Sequence, residues 1–401
     1  MIKKVLIWSL IVLAVLILIL AGYYLLINKQ NSVDQNNPSD FQKFQPIGGS
    51  GGNNGTSTDN TKSSGIQNNS AFTSKLRKLW GSPVSGAGVV DSKAGSTVRF
   101  MDMATGHIYD SELFSPVQSR ISNLTIPMIK NAFWSSNNTN AVIQTLNADN
   151  DNFTSYSLNI KNSSSTPIKG LIFSLSARNF STYKTKIFYL EDGGNSSVGY
   201  LANIDGGNKK QIWSSEIRDF IPQFVNDNTI ILTTKPYPNI LGYSYKLNTN
   251  TGASQKILGG VYGLTTLMSP DESKIIYNSQ TDQNKLYVYS VASKSSTEIS
   301  PNTFPEKCVW SKQKKDTLYC AVPNNAKTGD SLTNWYIGGI SFADEIWKYD
   351  IKNNTSIMVA DLSKLSGESI DVLKPILSDS DQYLIFLNKI DSSLWSLDLT
   401  K

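Results

Sequence analysis

The chain opens on one unbroken apolar run. From Val5 to Ile27 it reads VLIWSLIVLAVLILILAGYYLLI without a charge. As a helix rising 1.5 Å per residue, this run reaches roughly 34 Å, enough for a hydrocarbon core of about 30 Å. Trp8 near one end and Tyr23 and Tyr24 near the other suit the two interfaces of a bilayer. Lys3 and Lys4 precede the run, so residues 1–4 are expected in the cytoplasm and everything after Lys29 on the far side. A cleaved signal peptide is the competing reading. It wants an apolar core of about 7–15 residues and an A-x-A-like site, whereas this run is longer and has only Ala21-Gly22 near its end. The pattern predicts an uncleaved single-pass anchor over 5–27 in the cell membrane, with the rest of the chain extracellular or periplasmic. No cysteine lies near the run, which excludes a lipid-modified cysteine there.

Residues 28–72 change character completely. Stretches such as NKQNSVDQNNPSD and GGSGGNNGTSTDNTKSSG hold too few apolar side chains to bury a core, so a disordered linker is expected. A flexible chain of this length has a typical end-to-end distance of about 35 Å. Its role would be to hold a folded body off the bilayer.

From there to Lys401 the pattern switches to period two. Short apolar–polar alternations are separated by Asn, Asp, Gly and Ser turns, with no amphipathic helical pattern of useful length, which is an all-β signature. One unit recurs: an apolar strand, a short polar turn, then a strongly β-prone strand. It appears as AFWSSNNTNAVIQT, FSLSARNFSTYKTKIFYL, PQFVNDNTIILTT, TLMSPDESKIIYNS, KCVWSKQKKDTLYCAV and PILSDSDQYLIFLN. Aligned on Trp134, Leu175, Phe224, Met268, Trp310 and Leu377, the intervals are 41, 49, 44, 42 and 67 residues. A degenerate copy fits PVSGAGVVDSKAGSTVRFMDM. A third strand with aromatic alternation follows in most units (LGYSYKLN, KLYVYSV, EIWKYDI), then a shorter fourth (KKQIWSS, SQKILGG, SIMVADL). Four strands in about 45 residues, repeated, make a propeller blade. The last unit, ending in SLWSLDLTK, lacks its fourth strand, and Leu76–Trp80 (LRKLW) is a strand without a unit. Joining the two would close the ring and leave no open edge between first and last blades. Residues 73–401 are therefore expected to form a β-propeller of seven four-stranded blades, with six or eight open because the first unit is weak.

The turns Met268-Ser269-Pro270-Asp271-Glu272, Trp134-Ser135-Ser136-Asn137-Asn138 and Trp310-Ser311-Lys312 resemble the W-S-P-D-G turn of the WD40-like repeat in TolB-type propellers. The glycine is replaced in every copy. The Gly-His and Trp-Asp pairs of eukaryotic WD40 repeats do not occur. The resemblance implies the fold, and it implies a protein-binding platform as the common use of that fold.

Composition narrows the chemistry. Charged residues are 17% of the 401, with one histidine and two cysteines. This excludes His-rich zinc sites, zinc ribbons and iron–sulfur frameworks, and no cofactor is expected. The net charge of +5 includes Lys3, Lys4 and Lys29, so the remainder of the chain carries only +2. That is no footprint for nucleic acid.

Few residues suggest sites. Cys308 and Cys320 are symmetric about Lys314 in the KQKKD turn, so a two-strand register places them opposite each other, about 4.5–5.5 Å apart at Cα. Outside the cytoplasm that favours a structural disulfide; the alternative is two small buried thiols. His107 has no G-x-S-x-G partner motif and is expected to be a turn or packing residue. Asp149 and Asp151 in NADNDN lack calcium-loop spacing, and a turn is expected. The N-x-[ST] strings at Asn123, Asn152 and Asn179 arise readily in so Asn- and Ser-rich a chain. The longest excursion, PNNAKTGDSLTNWYIGGISFAD, should project Trp335 and Tyr336 onto the same face as Tyr237 of KPYPNILG, unless the pair folds back as a plug. Aromatic loops on a rigid scaffold would bind a protein or an envelope polymer. The rival functions are a carbohydrate-active hydrolase or lyase using paired channel carboxylates, and a propeller regulating a hydrolase on another chain.

Overall fold

The computed structural model describes residues 74–122, 125–146, 153–160, 170–174, 176–237, 239–279, 285–324 and 332–401. The chain divides into two units, Met1–Asn53 and Asn54–Lys401, and every described residue belongs to the second. The expected anchor over 5–27 and linker over 28–72 lie outside the described residues, as do Asn123, Asp149, Asp151 and Asn152. Among the described residues no helix is long and apolar enough to cross a membrane.

Among the described residues twenty-eight strands assemble into seven four-stranded antiparallel sheets. Strands a to d of each blade follow in chain order. Blade 1 runs from β2 (Val84–Ser92) to β5 (Gln118–Arg120), and blade 2 from β6 (Ile129–Trp134) to β9 (Gly170–Ile172). Blade 3 spans β10 (Arg178–Tyr183) to β13 (Lys210–Ser215), and blade 4 spans β14 (Phe220–Asn226) to β17 (Ser254–Tyr262). Blade 5 spans β18 (Thr265–Met268) to β21 (Ser295–Ile299), and blade 6 spans β22 (Cys308–Trp310) to β25 (Thr355–Asp361). Blade 7 takes β26 (Val372–Leu377), β27 (Tyr383–Asn388) and β28 (Leu394–Asp398) from the C-terminal end. Its fourth strand is β1 (Leu76–Trp80), paired with β28 through Leu76 opposite Leu397 and Trp80 opposite Leu394. The ring is closed.

The b strands are the most apolar elements because each is covered on both faces. In Thr229–Thr234 all six residues are buried. Seven apolar clusters follow, one at each junction between neighbouring blades. Ile143 and Met101 share the cluster between blades 1 and 2, and Ile385 and Phe100 share the one that closes blade 7 on blade 1.

The a–b turns tie the ring together on its underside. Ser269 Oγ donates to Asp271 Oδ1 at 2.7 Å and accepts from Lys274 N at 3.0 Å, while Ser135, Asn137 and Asn140 repeat that arrangement in blade 2. The position held by glycine in the W-S-P-D-G form has φ of +59° at Glu272, +52° at Asn138 and +58° at Asp381. A left-handed non-glycine residue costs roughly 1–2 kcal/mol, but the side chain at this position reaches the preceding blade. Glu272 accepts from Asn226 Nδ2 at 2.6 Å and pairs with Lys246, and Asp381 accepts from Lys312 N at 2.9 Å. Lys184–Asp227 (2.5 Å), Lys274–Asp316 (2.5 Å) and Lys312–Asp379 (2.7 Å) continue from blade to blade. Each exposed pair contributes at most about 1 kcal/mol, so their effect is to hold register.

One hairpin differs from its sequence alignment. Leu175 lies outside the described residues, and the residue opposite Ile187 in blade 3 is Thr182. Blade 3 turns tightly through Lys184 and Thr185 and lacks the Ser-x-Asp pattern, so an apolar anchor placed the alignment too early. Thr182 Oγ1 donates to Trp134 O at 2.9 Å instead.

Candidate functional site

In this topology the b–c and d–a connections emerge on one face, the loop face. Blade 6 carries the long b–c excursion between Pro323 and Asp344, with a short helix α1 (Leu332–Tyr336) inside it. A second short helix, α2 (Leu362–Ser366), links blade 6 to blade 7 on the same face. Asp361 caps its N-terminus by accepting from Lys364 N, and Gly367, at φ +78°, ends it.

Trp335 does not project. It is 1% exposed and packs with Leu332, Phe304 and Phe342. Its indole Nε1 donates to Asp371 Oδ1 and Oδ2 at 3.0 and 2.9 Å. The excursion therefore folds back as a plug, because a large apolar ring with one donor gains more over a buried carboxylate than in water. Tyr336 stays at the surface: the residue is 41% exposed, while its hydroxyl donates to Glu306 Oε1 at 2.5 Å. Burial, followed by the Glu306 charge, raises the Tyr336 pKa. Burial likewise raises Glu306, against bonds from Tyr336 and Thr265 and the charge of Lys307.

Beneath the plug lies a buried ionic triad. Lys307 ends a 3₁₀ turn (Pro305–Lys307), Asp344 begins strand c of blade 6, and Asp371 immediately precedes β26. The Lys307 Nζ donates to Asp344 Oδ2 at 2.6 Å and to Asp371 Oδ1 at 2.5 Å, and all three side chains are 0% exposed. Trp335 and Phe342 rings stand 5.1 and 5.4 Å from the ammonium. Val372 N donates to Asp344 Oδ2 at 2.6 Å, and Phe342 N to Asp371 Oδ2 at 3.1 Å. One cation faces two carboxylates, and Asp344 Oδ1 has no hydrogen-bond partner. Burial pushes Asp344 up to about 6, with the Asp371 charge adding and Lys307 opposing.

A pH dependence follows from that shift. An acid whose folded pKa lies above its unfolded value near 3.8 contributes stability that is full below about 4 and lost as pH rises through about 6. Asp344→Asn retains an acceptor for Val372 N and removes the titration. The difference in unfolding free energy, wild type minus variant, should therefore fall between pH 4 and pH 6 and be flat above pH 7. Denaturant unfolding across that range measures it. A pH-independent difference would refute the assignment.

The sequence offered little sign of this triad. An isolated lysine within FPEKCVW, next to a strand expected to be buried, was the available signal. The other singled-out residues are scattered. Cys308 and Cys320 are opposite each other in β22 and β23 (Thr317–Pro323), with Cα atoms 4.0 Å apart and sulfurs 2.11 Å apart as a disulfide. In the chain-entropy picture, closing so short a loop contributes about 3 kcal/mol. His107 sits in the b–c connection of blade 1 with Nε2 at 3.2 Å from Thr125 Oγ1. Burial and the Arg120 charge lower its pKa, with Asp102 opposing. Asn179 is at φ +53° and donates to Phe220 O at 2.8 Å. Among the described residues no group of three or more His, Cys, Asp or Glu could hold a metal ion.

Tyr237 remains on the surface at 41% exposure, with the Lys235 ammonium 5.9 Å from its ring. It is not alone. Ile217, Ile221, Ile240, Leu241 and Tyr262, all from the same end of blade 4, are also exposed.

No protein-family model matches the sequence, and no curated protein matches it. Solved structures match it as a fold. An oligogalacturonate lyase from Vibrio parahaemolyticus gives a TM-score of 0.54 at 11% identity, covering 80% of this chain and 93% of that one. The β-propeller domain of the trilobed protease from Pyrococcus furiosus gives 0.50 at 12% identity, covering 79% and 98%. TolB from Acinetobacter baumannii gives 0.43 at 12% identity, covering 78% of each chain. The likeness is one of fold. The Pyrococcus domain is described as having an open velcro topology, whereas here β1 hydrogen-bonds to β28.

Proposed function

We propose that this chain is a scaffold: an extracytoplasmic propeller, tethered to the cell membrane through residues 5–27, whose loop face binds a partner protein. An envelope polymer is the second class of partner. One observation carries the reading. Of sixteen exposed large apolar side chains among the described residues, twelve belong to the b–c and d–a connections or the strand ends beside them. Six of those come from blade 4, and Tyr336 and Ile337 of blade 6, the latter 75% exposed, add to them. Clustered apolar surface of this kind marks interaction sites. The converging carboxylates on this face, Asp344 and Asp371, are occupied by Lys307.

The test is crosslinking and capture with the full chain on its native membranes, comparing wild type with Tyr237→Asp/Ile240→Asp. Loss of two central apolar contacts should weaken capture about 10–100-fold while leaving the melting temperature unchanged, since both side chains are exposed. Undiminished capture by the double variant would remove blade 4 from the interface. A carbohydrate lyase is the rival, and its probe is oligogalacturonate: accumulation of unsaturated product would overturn the scaffold.

A further inference from the structure

The innermost strands of the blades line the central bore, and β26 is irregular there. Its pairing with β27 slips between Leu373 and Ile376, and Lys374 within that bulge adopts φ +52°. Bulges re-aim side chains, and left-handed lysines are uncommon. The Lys374 Nζ donates to Asn131 Oδ1 at 3.3 Å and stands 5.9 Å from the Phe133 ring. Both residues belong to β6, the innermost strand of blade 2. Blade 1 lies between blades 7 and 2, so the lysine reaches past it at the mouth of the bore. Asn131 is held in place by Nδ2 donating to Gln144 Oε1 at 3.2 Å, which turns its oxygen to the ammonium. A second lysine, Lys130, is exposed at the bulge of β6 between Ile129 and Asn131.

The charge is uncompensated. Among the described residues no carboxylate pairs with Lys374, and the surrounding protein lowers its pKa through desolvation without an opposing charge. The Lys374 side chain is solvent-exposed, as fits a group standing in an open bore. The buried Lys307, by contrast, is held by two carboxylates. A strained backbone, an unpaired cation and a preset amide together describe a site kept for a ligand at some expense of stability.

We propose that the mouth of the bore beside Lys374 is an anion-binding site, taking a carboxylate or phosphoryl group presented by a ligand on the loop face. Lys374 supplies the charge, Asn131 its orientation, and Phe133 an apolar wall. The site is independent of the blade 4 patch, so the Tyr237→Asp/Ile240→Asp variant should leave it intact.

Titration calorimetry of the full chain with inorganic phosphate and with trigalacturonate tests it. Saturable binding of either probe, weakened at least tenfold by Lys374→Gln and unaffected by Lys352→Gln on the opposite face, is expected. Response to phosphate alone assigns the site to phosphoryl groups, and response to trigalacturonate alone assigns it to acidic saccharides. Asn131→Asp supplies an internal anion to Lys374. It should abolish binding while raising the melting temperature by about 2 °C, which separates an emptied site from a misfolded protein. Absence of saturable binding for both probes, or binding that survives Lys374→Gln, would overturn the proposal.

Discussion

Replacing Lys307 with methionine should destabilise the propeller by about 3–5 kcal/mol at neutral pH. The change keeps an unbranched side chain one atom shorter and removes its charge, leaving Asp344 and Asp371 facing each other where neither is exposed. Two buried carboxylates without their cation take up protons in preference to remaining charged, so the loss should be smaller at pH 4.5 than at pH 7.5. The consequence reaches the excursion, because Asp371 also holds the Trp335 indole and the Phe342 amide. Limited proteolysis between residues 324 and 343 should accelerate in the variant before the ring itself melts. Thermal unfolding at the two pH values, with a shift on the order of 10 °C at pH 7.5, measures the effect. A loss under about 1 kcal/mol at pH 7.5 would mean that the triad is not what holds blades 6 and 7 together.

Internal deletion of residues 75–80 should be more damaging still. β1 contributes Leu76 and Leu79, 7% and 4% exposed, to the two clusters flanking blade 7. Truncating one buried leucine costs about 2–5 kcal/mol, and this deletion removes two together with the hydrogen bonds to β28. It also uncovers the edge of β28, whose five residues are all buried in the closed ring. Such an edge pairs with other chains, so size-exclusion chromatography with light scattering should report oligomers or aggregate in place of the wild-type species. A deletion variant that keeps the wild-type elution and melts cooperatively within about 5 °C of it would show that the ring does not depend on its closing strand.

The alternation of apolar and polar positions carried most of the architecture. The b strands declared themselves because covering both faces demands continuous apolar runs, as in TIILTT. The closing strand was legible at its observed bounds, Leu76–Trp80, because a final unit one strand short requires a donor elsewhere. Blade 3 was misaligned because its turn lacks the Ser-x-Asp or Ser-x-Asn side chains of blades 5 and 2, and an apolar residue seven positions earlier than Thr182 took the anchor's place.

Local pattern determines a strand, a turn and a repeat, since each is a matter of which faces are buried over a few residues. The sequence by itself therefore pointed to a closed ring of blades, with seven as the expected number, and the structure fixed the count at seven. Which side chains meet across the ring was decided by the tertiary structure alone. Lys307 is 37 residues from Asp344 and 64 from Asp371, and Lys374 is 243 from Asn131. Such contacts depend on how the blades are arranged about the bore. The same distance from local pattern explains Trp335: its spacing placed it in a loop, but only the buried carboxylate of the next blade turned that loop inward.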